Sequence, residues 1–139
     1  RVAALGLARD ADLLVPVPLH RSRHATRGFN QSAEIARWVS RQAGLPVALR
    51  LAERRRATLP QVGLHLPDRE ANVRGAFIAA AGVSGRRVVV IDDVTTTGST
   101  LAELAAALIA AGAVAVDAWC VARADRREIQ APVTAERSP

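Results

Sequence analysis

Residues 87–100 read RVVVIDDVTTTGST, and the fold follows from how that stretch is parsed. Val88, Val89, Val90 and Ile91 form an apolar, β-branched run with no polar alternation, the pattern of a strand buried on both faces in a parallel sheet. The run leads directly into Asp92 and Asp93, then into Val94, Thr95, Thr96, Thr97, Gly98, Ser99 and Thr100. Beyond it Leu101, Leu104, Ala105, Leu108 and Ile109 recur at helical spacing, and Gly112 stops the pattern. The unit is a strand, an acidic pair, a hydroxyl-rich loop with one glycine, and a helix.

Each part of that unit suits a particular chemistry. A helix N-terminus offers amide N–H groups without intrahelical partners and the positive end of the macrodipole, so an anion is favoured there. Gly98 lets the backbone approach a ligand closely, and the threonine and serine hydroxyls add donors for a phosphate. Ionised carboxylates only accept hydrogen bonds, so Asp92 and Asp93 suit a pair of sugar hydroxyls or a hydrated Mg²⁺. Phosphate on the loop and diol on the acids describes a ribose 5-phosphate. Other nucleotide sites are excluded: the chain has no G-x-x-x-x-G-K-[ST] motif, no lysine at all, and no GxGxxG turn.

DDVTTTGST resembles the signature of the type I phosphoribosyltransferases, and the whole chain resembles the ComF/GntX branch of that family. Three further stretches carry the resemblance: VPVPLHRSRHATRGFNQSAEIA (15–36), RATLPQVGL (56–64) and NVRGAF (72–77). The resemblance implies a mostly parallel sheet flanked by helices, with a flexible flap. It implies that Asp92 and Asp93 hold the ribose hydroxyls of phosphoribosyl pyrophosphate (PRPP) and, indirectly, Mg²⁺. Thr96, Thr97, Gly98, Ser99 and Thr100 would take the 5-phosphate, and the loop with Val17, Pro18, His20 and Arg27 would face the pyrophosphate. Arg56, Thr58 and Gln61 stand at the family's R-x-T-x-x-Q on the flap, with Arg56 as a catalytic candidate beside the acid pair.

Two functions follow from the resemblance. One is a Mg²⁺-dependent transfer of phosphoribosyl from PRPP to an unidentified acceptor, with release of pyrophosphate. The other is a non-catalytic accessory role in DNA uptake, in which the domain binds a phosphoribosyl ligand or single-stranded DNA. The partners expected are PRPP and pyrophosphate, single-stranded DNA or the competence machinery, and a second copy of the chain.

Composition bounds these readings. A chain of 139 residues forms one domain, with a loop at about 54–75 and a poorly ordered tail at about 124–139. The cysteine-rich zinc module of ComF relatives is absent from this sequence, which opens at Arg1. No apolar run reaches the ~18 residues of a membrane span, and a cytoplasmic setting is expected. The lone Cys120 is read as a buried small hydrophobe in a strand pattern, and it has no internal disulfide partner. All 19 basic side chains are arginine, for a net charge of +6. They cluster at Arg21, Arg23 and Arg27, at 54–56, at Arg86 and Arg87, and at Arg123, Arg126 and Arg127, patches suited to phosphate chains. Phe29, Trp38, Phe77 and Trp119 are mostly not interleaved with them, so no stacking platform for single strands is visible.

The remaining elements are read in order. Residues 11–17 form a first strand, punctuated by Pro16 and Pro18. A helix runs from about Gln31 to Ala43, with Asn30 as N-cap, Gly44 as stop, and Ile35, Ala36, Val39 and Ala43 on its core face; Trp38 is read as packing. Residues 46–52 are a second strand, 66–73 a short helix capped by Asp68, 76–80 a short strand, and 113–122 the last parallel strand.

Overall fold

The computed structural model describes residues 10–20, 28–56 and 71–124. In chain order the elements are β1 (Leu13–Pro16), α1 (Gln31–Ala43), β2 (Ala52–Arg54), β3 (Phe77–Ala79), a 3₁₀ turn (Ala81–Val83), β4 (Arg87–Thr95), α2 (Ser99–Ala110) and β5 (Ala115–Arg123). The three strands β1, β4 and β5 form a parallel sheet in the order β1-β4-β5. Strands β2 and β3 form a separate antiparallel ribbon that pairs Arg54 with Phe77.

The central place of β4 explains its composition. With a strand on each side and a helix over each face, Val88, Val89, Val90 and Ile91 are all buried. On one face Leu13, Val15, Val88 and Val90 pack with Leu104 and Leu108 of α2. On the other, Leu14, Val89 and Ile91 pack with Ala36 of α1, flanked by Ile35 and Val39. The mostly parallel sheet flanked by helices is thus present as the sequence indicated.

The ends of α1 also follow the sequence. The Asn30 side chain accepts from the amides of Ser32 and Ala33 at 3.0 and 3.4 Å. Gly44 closes the helix in the left-handed region at φ 71°, where a side chain would be strained.

Four expectations need correction. The second strand is not continuous over 46–52: its start makes only a parallel bridge, Leu14 to Val47, and the paired segment is β2 at Ala52–Arg54. Proline accounts for this. Leu14 donates to the Pro46 carbonyl and Ala48 donates to the Leu14 carbonyl, both at 2.8 Å, but the next donor along that edge of β1 would be Pro16, which has no N–H. Pro16 is tolerated because the edge toward β4 is served by its neighbour, Val17 donating to Ile91 at 2.9 Å. Cys120 is exposed rather than buried, because β5 is the edge strand of the sheet among the described residues. Trp38 and Ile109 are 46% and 49% exposed, since each helix covers one sheet face and leaves its opposite side to solvent. The helix expected at 66–73 and the tail lie largely outside the described residues, and 71–73 are helical.

Candidate functional site

The carboxyl end of β4 carries the acid pair past the core. Asp92 is 8% exposed, and its Oδ1 accepts from the Ser32 hydroxyl and from the Asp93 amide, both at 3.0 Å. Oδ1 of Asp93 accepts from the Val94 amide at 2.8 Å. These bonds engage Oδ1 of each carboxylate. Burial raises the Asp92 pKa from 3.8 to about 6; the bonds from Ser32 and the Asp93 amide oppose the shift, and the like charge of Asp93 adds to it.

The hydroxyl loop turns directly into α2. Gly98 adopts φ 80°, ψ 0° at the helix N-cap, a left-handed conformation that a non-glycine residue adopts only at a cost. Oγ1 of Thr97 accepts from the Ser99 amide at 3.3 Å and lies 2.6 Å from Oγ of Ser99. The first turn of α2 therefore starts at this loop, with Thr96, Thr97, Gly98, Ser99 and Thr100 gathered where its dipole is positive.

Asn30 links the first loop to this region. Its Nδ2 donates to the Val17 carbonyl at 3.0 Å while its Oδ1 caps α1, and Ser32, two residues on, reaches Asp92. One side chain thereby fixes the first loop against the helix that orients the carboxylate. Beside it opens a cavity of about 460 Å³, lined in part by Pro18, Leu19, Asn30, Arg37 and Arg50. Replacing Asn30 with alanine removes both bonds and is expected to lower stability by about 1–2 kcal/mol in urea unfolding. Asn30→Ser, which keeps the cap and loses the Val17 tether, should fall between the two.

Arg56 is engaged at the base of the segment that follows it. Its Nη2 donates to the carbonyls of Ala71, Asn72 and Arg74 at 3.4, 3.1 and 2.6 Å, and the neighbouring Arg55 amide donates to Ala76 at 2.9 Å. The guanidinium thus ties together the two ends of segment 57–70. Glu103 of α2 holds the same base, accepting from the Gly75 amide at 2.6 Å. Arg27, Thr58 and Gln61 lie outside the described residues, as do Arg21 and Arg23. His20 follows Pro18 in the first loop.

The basic clusters are also partly committed. Arg54 is buried and stacks over the Phe77 ring at 5.3 Å, and Arg56 serves the loop base, so 54–56 is not an open cationic patch. Among the described residues no group of three or more His, Cys, Asp or Glu could cage a metal. No helix there is long and apolar enough to cross a membrane.

A strand-borne acid pair, a hydroxyl-rich loop at a helix start and a first loop tied through Asn30 to the helix that reaches Asp92 make up the site. Residues 29–135 match the family model described as "Phosphoribosyl transferase domain", and the chain belongs to that family. It is 43% identical over 112 residues to the DNA utilization protein YhgH of Escherichia coli K12, an alignment covering 81% of this chain and 49% of that protein. It is 36% identical over 116 residues to Competence protein F of Haemophilus influenzae, covering 81% and 51%. The chain therefore spans about half the length of these relatives. The structure is similar to a glutamine PRPP amidotransferase from B. subtilis complexed with ADP and GMP, with TM-score 0.52 and 26% identity over 84% of this chain and 24% of that one. The ComF affiliation and the phosphoribosyltransferase fold read from the sequence are thus shown.

Proposed function

We propose that the domain binds PRPP and transfers its phosphoribosyl group to an acceptor, releasing pyrophosphate. The observation that carries this reading is the acid pair at the end of β4, oriented by Ser32 and by backbone amides, followed at once by the loop that opens α2. The ribose 2- and 3-hydroxyls would donate to Asp92 and Asp93, and the 5-phosphate would rest on residues 96–100. Arg27, with the backbone from Val17 to His20, would face the pyrophosphate. Two carboxylates, with no group of three or more His, Cys, Asp or Glu among the described residues, fit Mg²⁺, which keeps waters and takes phosphate oxygens from its substrate, so Asp92 and Asp93 would hold it through that shell. When bound, Mg²⁺ supplies neutralisation of the pyrophosphate charge.

The chain's own residues define the rest of the step. The acceptor's lone pair forms a bond to C1 as the C1–O bond to pyrophosphate breaks, and the electron pair leaves with the pyrophosphate. Positive charge that develops on the sugar ring lies near Asp92 and Asp93, and fixed carboxylates stabilise it without reorganisation. Arg56 acts here as a positioning residue that anchors the flap, segment 57–70, rather than as a group on the reacting atoms. The cavity beside Pro18, with Arg37 and Arg50 in its lining, is the space offered to an acceptor. Calorimetric titration of PRPP with and without Mg²⁺ is the test: Mg²⁺-dependent binding supports the assignment, and no binding under either condition rejects it.

The names of the relatives favour a second reading, an accessory role in DNA uptake in which the site serves as a binding module. A gel shift with single-stranded DNA separates the two. Retardation at ~50 mM salt that fades as salt rises supports the DNA role, and its absence at low salt removes the electrostatic basis for it.

A further inference from the structure

Strand β5 ends the sheet with one edge unpaired among the described residues. It is nine residues long, contains neither proline nor glycine, and carries the uncharged stretch Ala118–Ala122 in its middle. Val121 is 71% exposed and Cys120 is exposed. Such an edge lacks three of the usual protections against pairing, which are brevity, proline and a central charge. The sequence along it, Asp117-Ala-Trp-Cys-Val-Ala-Arg123, is complementary to itself when read backwards about Cys120.

We propose that β5 pairs antiparallel with β5 of a second copy of this chain, on a two-fold axis through Cys120. The backbone fixes which residues face the partner. Val17 donates to Ile91 and Pro16 has no N–H, so up to Asp92 the odd-numbered residues of β4 address β1 and the even-numbered ones address β5. With Val90 beside Ala118 and Asp92 beside Cys120, the backbone groups of Asp117 and Trp119 point to β4 and those of Ala118 and Cys120 to the open edge. Centring the pair on Cys120 joins odd to odd. Asp117 then lies opposite Arg123 of the copy, twice by symmetry, and Trp119 opposite Val121 in a non-hydrogen-bonded pair, in which side chains come closer. Opposite charges and aromatic with β-branched residues are the favourable cross-strand combinations. Cys120 meets its own copy in a hydrogen-bonded pair, where Cα atoms lie about 5.5 Å apart. Shifting the axis to Trp119 or to Val121 breaks both Asp117–Arg123 pairs, so the charges select one register. The result is a continuous sheet of two copies of β1-β4-β5, with the new interface one strand from the acid pair, since Cys120 is the register partner of Asp92.

The single cysteine makes this directly testable. Brief treatment of the full chain with copper-phenanthroline removes two electrons and two protons from facing thiols, and any disulfide dimer formed must join Cys120 to Cys120. Wild type is expected to sediment as a dimer and to cross-link within minutes. Asp117→Arg, which sets Arg against Arg in both pairs, should weaken the dimer by at least about tenfold and slow cross-linking to match. The swap Asp117→Arg/Arg123→Asp restores the pairing and should return both readouts to near wild type. Circular dichroism of each variant confirms its fold. A wild type that stays monomeric, cross-linking indifferent to the charge reversal, or a failed swap in a folded protein would each overturn the proposal. A monomer whose Cys120 resists thiol labelling would do the same, and would assign the edge to residues beyond 124.

Discussion

Replacing Asp92 and Asp93 together with asparagine is expected to weaken PRPP binding about 100-fold or more, measured by calorimetry in the presence of Mg²⁺. Each hydrogen bond from a sugar hydroxyl to an ionised carboxylate is worth on the order of 1.5–3 kcal/mol, and every 1.4 kcal/mol is a factor of about ten. The fold should survive the change. Asparagine retains an oxygen to accept from the Ser32 hydroxyl and the Asp93 amide, the two bonds that position Asp92. Loss of affinity would then reflect charge and acceptor capacity rather than unfolding. The singles should differ in kind, because Asp92 is buried and oriented by α1 whereas Asp93 is half-buried and accepts from the Val94 amide of its own strand. Unchanged affinity in the folded double variant would remove the acid pair from the PRPP site.

The sequence displayed those parts of the structure that depend on near neighbours. Val88–Ile91 announced a central strand because a strand covered on both faces has no reason to alternate, and Asn30 and Gly44 marked the ends of α1 through local capping chemistry. The acid pair and hydroxyl loop were legible because they are contiguous. What could not be read depends on pairing at a distance. Ser32 lies 60 residues from Asp92 and looks like any polar residue in a helical first turn. Arg56 sits in a basic run, and nothing local says that its guanidinium closes onto carbonyls 15–18 residues on. Cys120 was misjudged for a related reason: Val114–Ala122 is apolar enough for a central strand, and only the strand order shows that it lies at the edge. A free polar first-turn residue beside a known capping asparagine is the one signal that could have pointed to Ser32.

Asp92→Asn alone is expected to stabilise the unliganded protein at pH 8, by up to about 3 kcal/mol, while weakening PRPP binding. The direction follows from where the carboxyl titrates. Folded Asp92 has a pKa of about 6, raised first by burial, against 3.8 for the unperturbed group. The folded state therefore holds the proton more tightly than the unfolded state. The favourable contribution of Asp92 is fully present below pH ~4, declines as pH rises through 6, and above that is replaced by the cost of a buried charge beside Asp93. Asparagine does not titrate, and its amide can donate to Asp93 where the carboxylate repels it. The gain of the variant should thus be small at pH 4, open between pH 4 and 6, and level off above. Urea unfolding of wild type and Asp92→Asn at pH 4, 5, 6, 7 and 8 reads this curve directly. A gain independent of pH would assign it to packing, and no gain at pH 8 would show that the buried carboxylate is better solvated than its surroundings suggest. Ser32→Ala should move the wild-type curve to higher pH, because the hydroxyl of Ser32 is the largest of the opposing influences that hold the Asp92 pKa down. Binding should run against stability along the same axis: the ionised carboxylate that costs the free fold most is the form that accepts from the ribose hydroxyls, so PRPP affinity is expected to fall as pH drops through 6 in wild type and to lose that dependence in Asp92→Asn.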